Sequence, residues 1–544
     1  MDHESGRGAA DAPMRWNGWG DPTRARELPL AVRALLPLLL GRLRRPAPAI
    51  ELDDVRVSES AFTVDDRASF ASAIGEEAVD STIESRIRHA GGRSTPDLLR
   101  RRRERQVVPD AVIRPSTHDE VSACLAVAAA RGVAVIPFGG GTSVVGALDP
   151  ERGSHRAVIS LDLRRLSGLI DLDPVSGQAT LAAGTSGPEA EELLAAQGFE
   201  LGHYPQSFRY ATIGGFAAAR SSGQNSAGYG RFDALVTGMR VATPTGELDL
   251  GRAPGSAAGP DLTRLFLGSE GIFGVITEVR VRVHPVPHDR LFESWTFADF
   301  TSGIEALRAV AQSGDGPTVI RLSDEAETAV SLAQVGRIGK ALAKGAAAVT
   351  VFEGERIEER RERTAALLAA AGGTSSGAGG AEEWMKGRFD GPYLRDSLLE
   401  AGVFCETLET ATTWSNLERL RTAVDIALRD GFAAADAKCS VMCHVSHIYP
   451  TGASLYFTVL AGIRSGPLAT WEPIKARVND AIIASGGTIS HHHGVGRDHA
   501  PWLSQEVGAT GIRVLRAIKR ELDPHGIMNP GAVIGDEAPR ERTD

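Results

Sequence analysis

From Val107 onward the chain alternates short β-branched apolar runs with alanine-rich stretches of helical period. Ala111-Val112-Ile113-Arg114-Pro115 reads as a strand ended by proline, residues 119–130 as a helix and residues 133–136 as a second strand, which is the opening of a βαβ unit. Further strands are predicted at 157–161, 178–182, 236–243 and 274–283, with a helix at 187–197. An α/β domain over 106–285 follows, closed by Pro285-Val286-Pro287. A second α/β region covers 286–490, and 491–544 returns to helix from Trp502. Residues 1–105 read as an N-terminal helical region in which the run Arg100-Arg101-Arg102-Arg103 lies on a solvated helix face. The stretch 371–381, AGGTSSGAGGA, is predicted to be a mobile loop.

Composition bounds the picture. At 544 residues, 42% hydrophobic and 24% charged, the chain exceeds what one core usually holds, so two or more domains are expected. A net charge of -10 argues against a general nucleic-acid binder, because phosphate affinity comes from lysine and arginine. Cys124, Cys405, Cys439 and Cys443 are too irregularly spaced for a disulfide framework or a four-ligand zinc site, and a reducing cytoplasm is the simplest compartment. The acidic, polar N-terminus is wrong for a secretory leader. Residues 28–45, LPLAVRALLPLLLGRLRR, fall short of the ~20 apolar residues that span a bilayer, and Arg33 and Pro37 interrupt them. Two readings remain: a helix packed on the protein body, or an interfacial helix whose arginines meet anionic lipid in a peripheral membrane contact.

Candidate chemistry begins at Pro137-Phe138-Gly139-Gly140-Gly141-Thr142-Ser143. A strand opening into three glycines exposes backbone N–H groups without obstruction by Cβ, and Thr142 and Ser143 add hydroxyls, which suits a diphosphate. The loop is neither a Walker A motif nor GxGxxG, and by itself it also reads as a structural turn. Two later segments change that: residues 206–222, QSFRYATIGGFAAARSS, and residues 268–277, GSEGIFGVIT. In this order, after Ile113-Arg114-Pro115, they resemble the FAD-binding domain of the vanillyl-alcohol oxidase and p-cresol methylhydroxylase superfamily. The resemblance implies an α/β (α+β) protein: a PCMH-type FAD-binding domain, an α/β cap domain and flanking helical regions. It implies FAD contacts from Pro137 to Ser143, from Gln206, Ser207, Thr212, Ala219, Arg220, Ser221 and Ser222, and from Glu270, Gly271, Gly274, Val275 and Ile276. Since the glycine loop holds no histidine or cysteine, non-covalent FAD is expected.

Outside that domain, Met14-Arg-Trp-Asn-Gly-Trp-Gly20, Pro392-Tyr-Leu-Arg-Asp396, Glu406-Thr-Leu-Glu-Thr410, Gly452-Ala-Ser-Leu-Tyr-Phe457 and Ser490-His-His-His-Gly-Val-Gly496 resemble the alkyldihydroxyacetonephosphate synthase family. That family exchanges the acyl group of acyl-dihydroxyacetone phosphate for a fatty alcohol without net oxidation, so a phosphorylated small-molecule or lipid substrate is implied. The resemblance makes Tyr456 an acid/base residue, Arg395 a guanidinium close to flavin and substrate, and Arg321 a substrate contact. Each has an ordinary alternative: an amphipathic strand residue for Tyr456, an ion pair with Asp396 or Glu400 for Arg395, and one with Asp324 or another cap carboxylate for Arg321. His491, His492 and His493 are expected to bind phosphate and relay protons, since imidazole titrates near neutrality. With His444 and His447 they also offer imidazoles for a metal, but His492 stands where metal-dependent 2-hydroxyacid dehydrogenases carry an acid, so no metal is expected. A homodimer is expected. The competing readings are an FAD-linked dehydrogenase or oxidase of a 2-hydroxy acid or alcohol, and a non-catalytic flavoprotein.

Overall fold

The computed structural model describes residues 14–25, 27–45, 49–334 and 345–535. Val133–Phe138 and Ala157–Asp162 are nearly continuous buried apolar runs, so both faces must be covered, and they pair in parallel as buried strands do. With Ala111–Ile113 and Val79–Asp80 they form a four-stranded sheet, ordered Val79–Asp80, Ala111–Ile113, Ala157–Asp162, Val133–Phe138. The crossover helix His118–Arg131 starts where the Thr117 side chain accepts the Glu120 N–H and ends at left-handed Gly132. A second, antiparallel sheet has the order Gly246–Leu250, Val236–Thr243, Val275–Arg282, Gln178–Ala182, Leu169–Asp173.

Beyond it, seven antiparallel strands form the cap sheet: Thr374–Gly377, Arg290–Phe297, Ala346–Glu353, Val319–Ser323, Cys439–Tyr449, Gly452–Ala461 and Phe404–Thr413 in spatial order. Strand alternation gives this sheet two different faces. Cys443, Val445, Leu455 and Phe457 enter the core under helices Leu417–Ala434 and Pro467–Ala484, with Phe432 and Trp471. The intervening His444 and Tyr456 fall on the opposite face. The Ala500–Leu522 helix returns to the five-stranded sheet through Leu503, and the chain then lays Met528 beside Val135 in a parallel bridge.

Two expectations are corrected. Residues 371–381 are not a loop: Thr374–Gly377 is the edge strand of the cap sheet, and Ser294 Oγ accepts the Ala381 N–H at 2.8 Å within the helix Gly379–Gly387. Pairing to a neighbouring strand orders a segment that small residues alone leave free. The arginine run does not share one solvated helix face, because the helix Thr95–Arg100 ends inside it. Arg101 is buried and donates to the Ala90 carbonyl at 2.6 Å. The N-terminal helix Leu30–Leu40 packs Leu36 and Leu40 on Leu398, Val403 and Cys405. Among the described residues no helix is long and apolar enough to cross a membrane.

Candidate functional site

Sheet register builds the first part of the site. Tyr456 lies opposite Glu409 on one neighbouring strand and opposite His444 on the other. Directly opposed side chains sit within about 5 Å of one another, so acid, phenol and imidazole form one row across three strands. The His444 and Tyr456 rings stack at 4.9 Å. Behind His444, its Nδ1 lies 2.9 Å from Arg321 Nη2 and 3.0 Å from Glu327 Oε2, and Arg321 and Glu327 are themselves ion-paired. Nδ1 carries either a proton or a lone pair, so it donates to Glu327 or accepts from Arg321, one at a time. The partner of Arg321 is thus Glu327. Asp324 is occupied elsewhere, accepting the N–H groups of Glu327 and Cys443.

The histidine turn is draped over the same row. Glu409 accepts the backbone N–H groups of His491 at 2.7 Å, His492 at 3.1 Å and His493 at 2.9 Å, and the Ser490 hydroxyl at 2.7 Å. Three successive N–H groups around one oxyanion make a nest. A second carboxylate, Glu270, accepts the N–H groups of Val495 and Gly496 at 2.9 and 2.7 Å. The glycines are required here: a Cβ on Gly494 would lie 2.6 Å from Glu270 Oε1, and one on Gly496 2.0 Å from the Val145 carbonyl, both at positive φ. With the backbone pinned, the imidazoles are sorted. His491 is buried, its Nε2 2.5 Å from the Tyr449 hydroxyl and its ring 5.3 Å from His447. His492 and His493 flank Tyr456 at ring distances of 6.1 and 5.7 Å.

Burial decides the charges. It drives His491 down to about 3, His492 to about 4 and His493 to about 3, with Glu409 pulling the other way. All three rings are neutral near pH 7, which corrects the expectation that they titrate there: removal from water outweighs the nearby carboxylate. Burial pushes the Tyr456 phenol up to about 12, with the Thr407 hydroxyl acting in the opposite direction. Glu409 stays ionised: burial alone would raise it, but the imidazoles and the His493 N–H hold it well below the carboxylate range. His447, His491 and His492 each bring a ligand nitrogen within 4.8 Å of the others, a set that could hold a metal. The nitrogens of His491 already face Tyr449 and, at 3.0 Å, His492 Nδ1.

Arg395 sits apart from this row. Its guanidinium binds Asp396 at 3.0 Å and the Arg93 carbonyl at 2.5 Å, the first of these being the ordinary ion pair. Asp396 also accepts the Trp19 N–H at 2.6 Å, and the Tyr393 hydroxyl accepts the Asp21 N–H at 3.2 Å, so the 14–20 and 392–396 motifs are two halves of one joint. Arg93 donates its own N–H to the Ser143 carbonyl at 2.7 Å, and the Thr95 N–H reaches Glu406 at 3.1 Å. The segment 93–95 therefore ties the glycine loop to the cap. Among the described residues the buried Arg93 side chain donates to the Met14 sulfur and the carbonyls of Gly92 and Arg15.

The three cradle segments meet. A Cβ on Gly139 would lie 2.3 Å from Thr212 Oγ1 and one on Gly140 1.9 Å from the Tyr210 carbonyl, which presses the loop onto 210–212. Gly271 lies against the Pro137 ring, and the Glu270 N–H reaches the Ala218 carbonyl next to Ala219. Among the described residues the buried Ser143 hydroxyl has no hydrogen-bond partner, as a site built for another molecule's acceptors requires. A cavity of about 340 Å³ adjoins the loop, lined by Arg88, His89, Arg114, Phe138, Gly140 and Arg164. These residues fit the diphosphate of FAD. Of the other expected contacts, Arg220 pairs with Asp233, Ser221 lies against His203, Gln206 is exposed, and the side chains of Val275 and Ile276 enter the core. Gly274 opens the Val275–Arg282 strand.

Sequence reasoning missed Glu409, Glu327, Tyr449 and Arg93. Glu409 was within reach, because a histidine standing in the usual acidic position invites a search for the acid that replaces it.

Two family models match the chain: an FAD binding domain over residues 109–250, and the C-terminal domain of FAD linked oxidases over 286–533. The alkyldihydroxyacetonephosphate synthase of Trypanosoma brucei brucei is 30% identical over 96% of this chain and 92% of its own. A solved alkyldihydroxyacetonephosphate synthase superposes with a TM-score of 0.81 at 27% identity, covering 95% of this chain and 98% of that one. The fold extends to p-cresol methylhydroxylase, with a TM-score of 0.67 at 15% identity over 88% of this chain and 98% of that one.

Proposed function

The chain belongs to the alkyldihydroxyacetonephosphate synthase family of FAD-linked oxidases, and from that premise we propose that it exchanges the acyl group of an acyl-dihydroxyacetone phosphate for a long-chain alcohol, forming an ether. The observation that carries this reading is a protonated phenol, Tyr456, beside two neutral imidazoles on a carboxylate-anchored turn. The C1 hydrogens of the substrate are acidified by its ketone, and a neutral His492 or His493 can accept one and return a proton to the same carbon once the alcohol has added. The Tyr456 hydroxyl donates to the departing carboxylate, and the same oxygen takes the proton of the incoming alcohol. His444 changes partner between Arg321 and Glu327, which lets a proton enter or leave the row without stranding a buried charge. Arg395 and Arg93 supply guanidinium charge for the substrate phosphate. The 139–143 loop and the Ser143 hydroxyl would hold FAD, which when bound would supply an electron-accepting ring for the exchange. It is bound non-covalently, and its colour should leave with the supernatant when the protein is denatured and precipitated.

The Arg321–His444 pair favours one second reading. A guanidinium to hold a carboxylate, next to an imidazole that takes a hydroxyl proton, would also serve an FAD-linked oxidation of a 2-hydroxy acid or alcohol. One anaerobic experiment separates the two. Ether formation from acyl-dihydroxyacetone phosphate and hexadecanol with unbleached flavin is the expected result, whereas bleaching by a hydroxy acid without ether product would overturn the synthase reading.

A further inference from the structure

The strand Phe404–Thr413 is the last of the cap sheet, so one of its edges has no strand beside it. Two segments cover the ends of that edge. Thr95 donates its hydroxyl to the Cys405 carbonyl and its N–H to Glu406, and the Ala411 carbonyl accepts the Thr488 N–H. Between these ties lies a cavity of about 10 Å³, with Glu406, Glu409, Lys475, Asn479, His493 and His499 in its wall. One water needs about that much room, together with two to four polar partners. Asn479 points to such an occupant: it is 1% exposed, and neither end of its amide has a hydrogen-bond partner among the described residues. Buried amides are seldom left so, and in so small a space water supplies both the donor and the acceptor.

His493 belongs to both places, lining the cavity and flanking the Tyr456 ring at 5.7 Å. Glu406 stands three residues before Glu409 on one strand, so the two carboxyl groups leave it on opposite faces. We propose that Glu406 is the proton store of the catalytic row, exchanging a proton with His493 through a water held by Asn479. This rests on the synthase reading, in which an imidazole takes the C1 proton. When that C–H bond breaks, its electron pair stays on the substrate as an enolate and one nitrogen of His493 gains the proton. The other nitrogen passes its own proton to the water, and the water passes one to the Glu406 carboxylate. The ring is then neutral again, and no imidazolium is left buried. The steps reverse once the alcohol has added. Burial lifts the Glu406 carboxyl to about 7, against the Thr407 N–H, Lys475 and Arg395, which suits a group that takes and returns a proton near neutrality. Of its other neighbours, Lys475 is paired with Asp498 at 2.6 Å, Glu409 is ionised, and Cys405, Tyr456, His493 and His499 are uncharged near pH 7.

The test pairs ether-forming turnover with infrared titration of the full-length FAD-bound protein. The store must be ionised to receive a proton, so wild-type kcat should rise with pH through about 7. E406Q should lower kcat by about tenfold or more, leave KM within about twofold and lose that rise, while E406D regains it. N479L, which closes the water site, should lower kcat as E406Q does, and both variants should keep wild-type flavin absorbance. The infrared measurement needs no turnover. The wild-type minus E406Q spectrum should show one carboxyl band that gives way to carboxylate as the pH passes about 7. A Glu406 that keeps one form between about pH 5 and 9 overturns the proposal, as does wild-type kcat in N479L. Ether formation with an unchanged pH profile in E406Q overturns this proposal alone, whereas absence of ether from wild type overturns the synthase reading and the proposal with it.

Discussion

The glycine cradle and the histidine turn are both bends that crowd backbone N–H groups together, yet they are built in opposite ways. In the cradle the groups come from residues without Cβ, and the Ser143 hydroxyl is left without a hydrogen-bond partner among the described residues. In the turn, comparable groups are already satisfied from within by Glu409 and Glu270. An open nest receives an anion from outside; a filled nest is a rigid support whose side chains face outward. One loop therefore suits a cofactor and the other displays imidazoles.

The largest expected effect comes from the side chains that the filled nest presents. Tyr456→Phe should lower ether-forming turnover by about 10²- to 10⁴-fold at unchanged flavin content, and wild-type kcat would break the acid/base assignment. Gly140→Ala attacks the open nest instead. Its Cβ would enter the Tyr210 carbonyl, so FAD affinity should fall by about a hundredfold, read as flavin absorbance per protein after dialysis. Glu409→Gln empties the filled nest and sets an amide against donors, which should cost about 2 kcal/mol of unfolding free energy in a denaturant titration.

The same contrast has a pH signature. Folded His491, His492 and His493 lie below the unfolded value of about 6.5, so on acidification the unfolded chain takes up protons first. Stability should be full above about pH 6.5 and fall toward pH 4, each ring contributing about 1.4 kcal/mol per pH unit. His492→Gln should flatten that decline, whereas a cradle substitution should leave its slope alone. The smallest effect is Ser143→Ala, about three- to tenfold in FAD Kd, measured by flavin fluorescence.

How legible each region is follows from the range of its contacts. The strands at 111–113, 178–182 and 236–243 are where the apolar pattern puts them, because a buried strand needs only a short local run. Thr374–Gly377 carries no such pattern, since its order comes from pairing with Arg290–Phe297. In the site, Arg395 and its ion pair with Asp396 are recognisable in the sequence, but the hold of Asp396 on Trp19, 377 residues away, is not.

The amino-acid sequence by itself determined the α/β architecture, the family and the cradle, because close backbone approach demands glycines at fixed local spacing. Only the tertiary structure decided which carboxylate holds the histidine turn, that its imidazoles are neutral, and that four leucines remain outside the core. Those outcomes depend on register between distant strands and on depth from water, and no short stretch of chain encodes either.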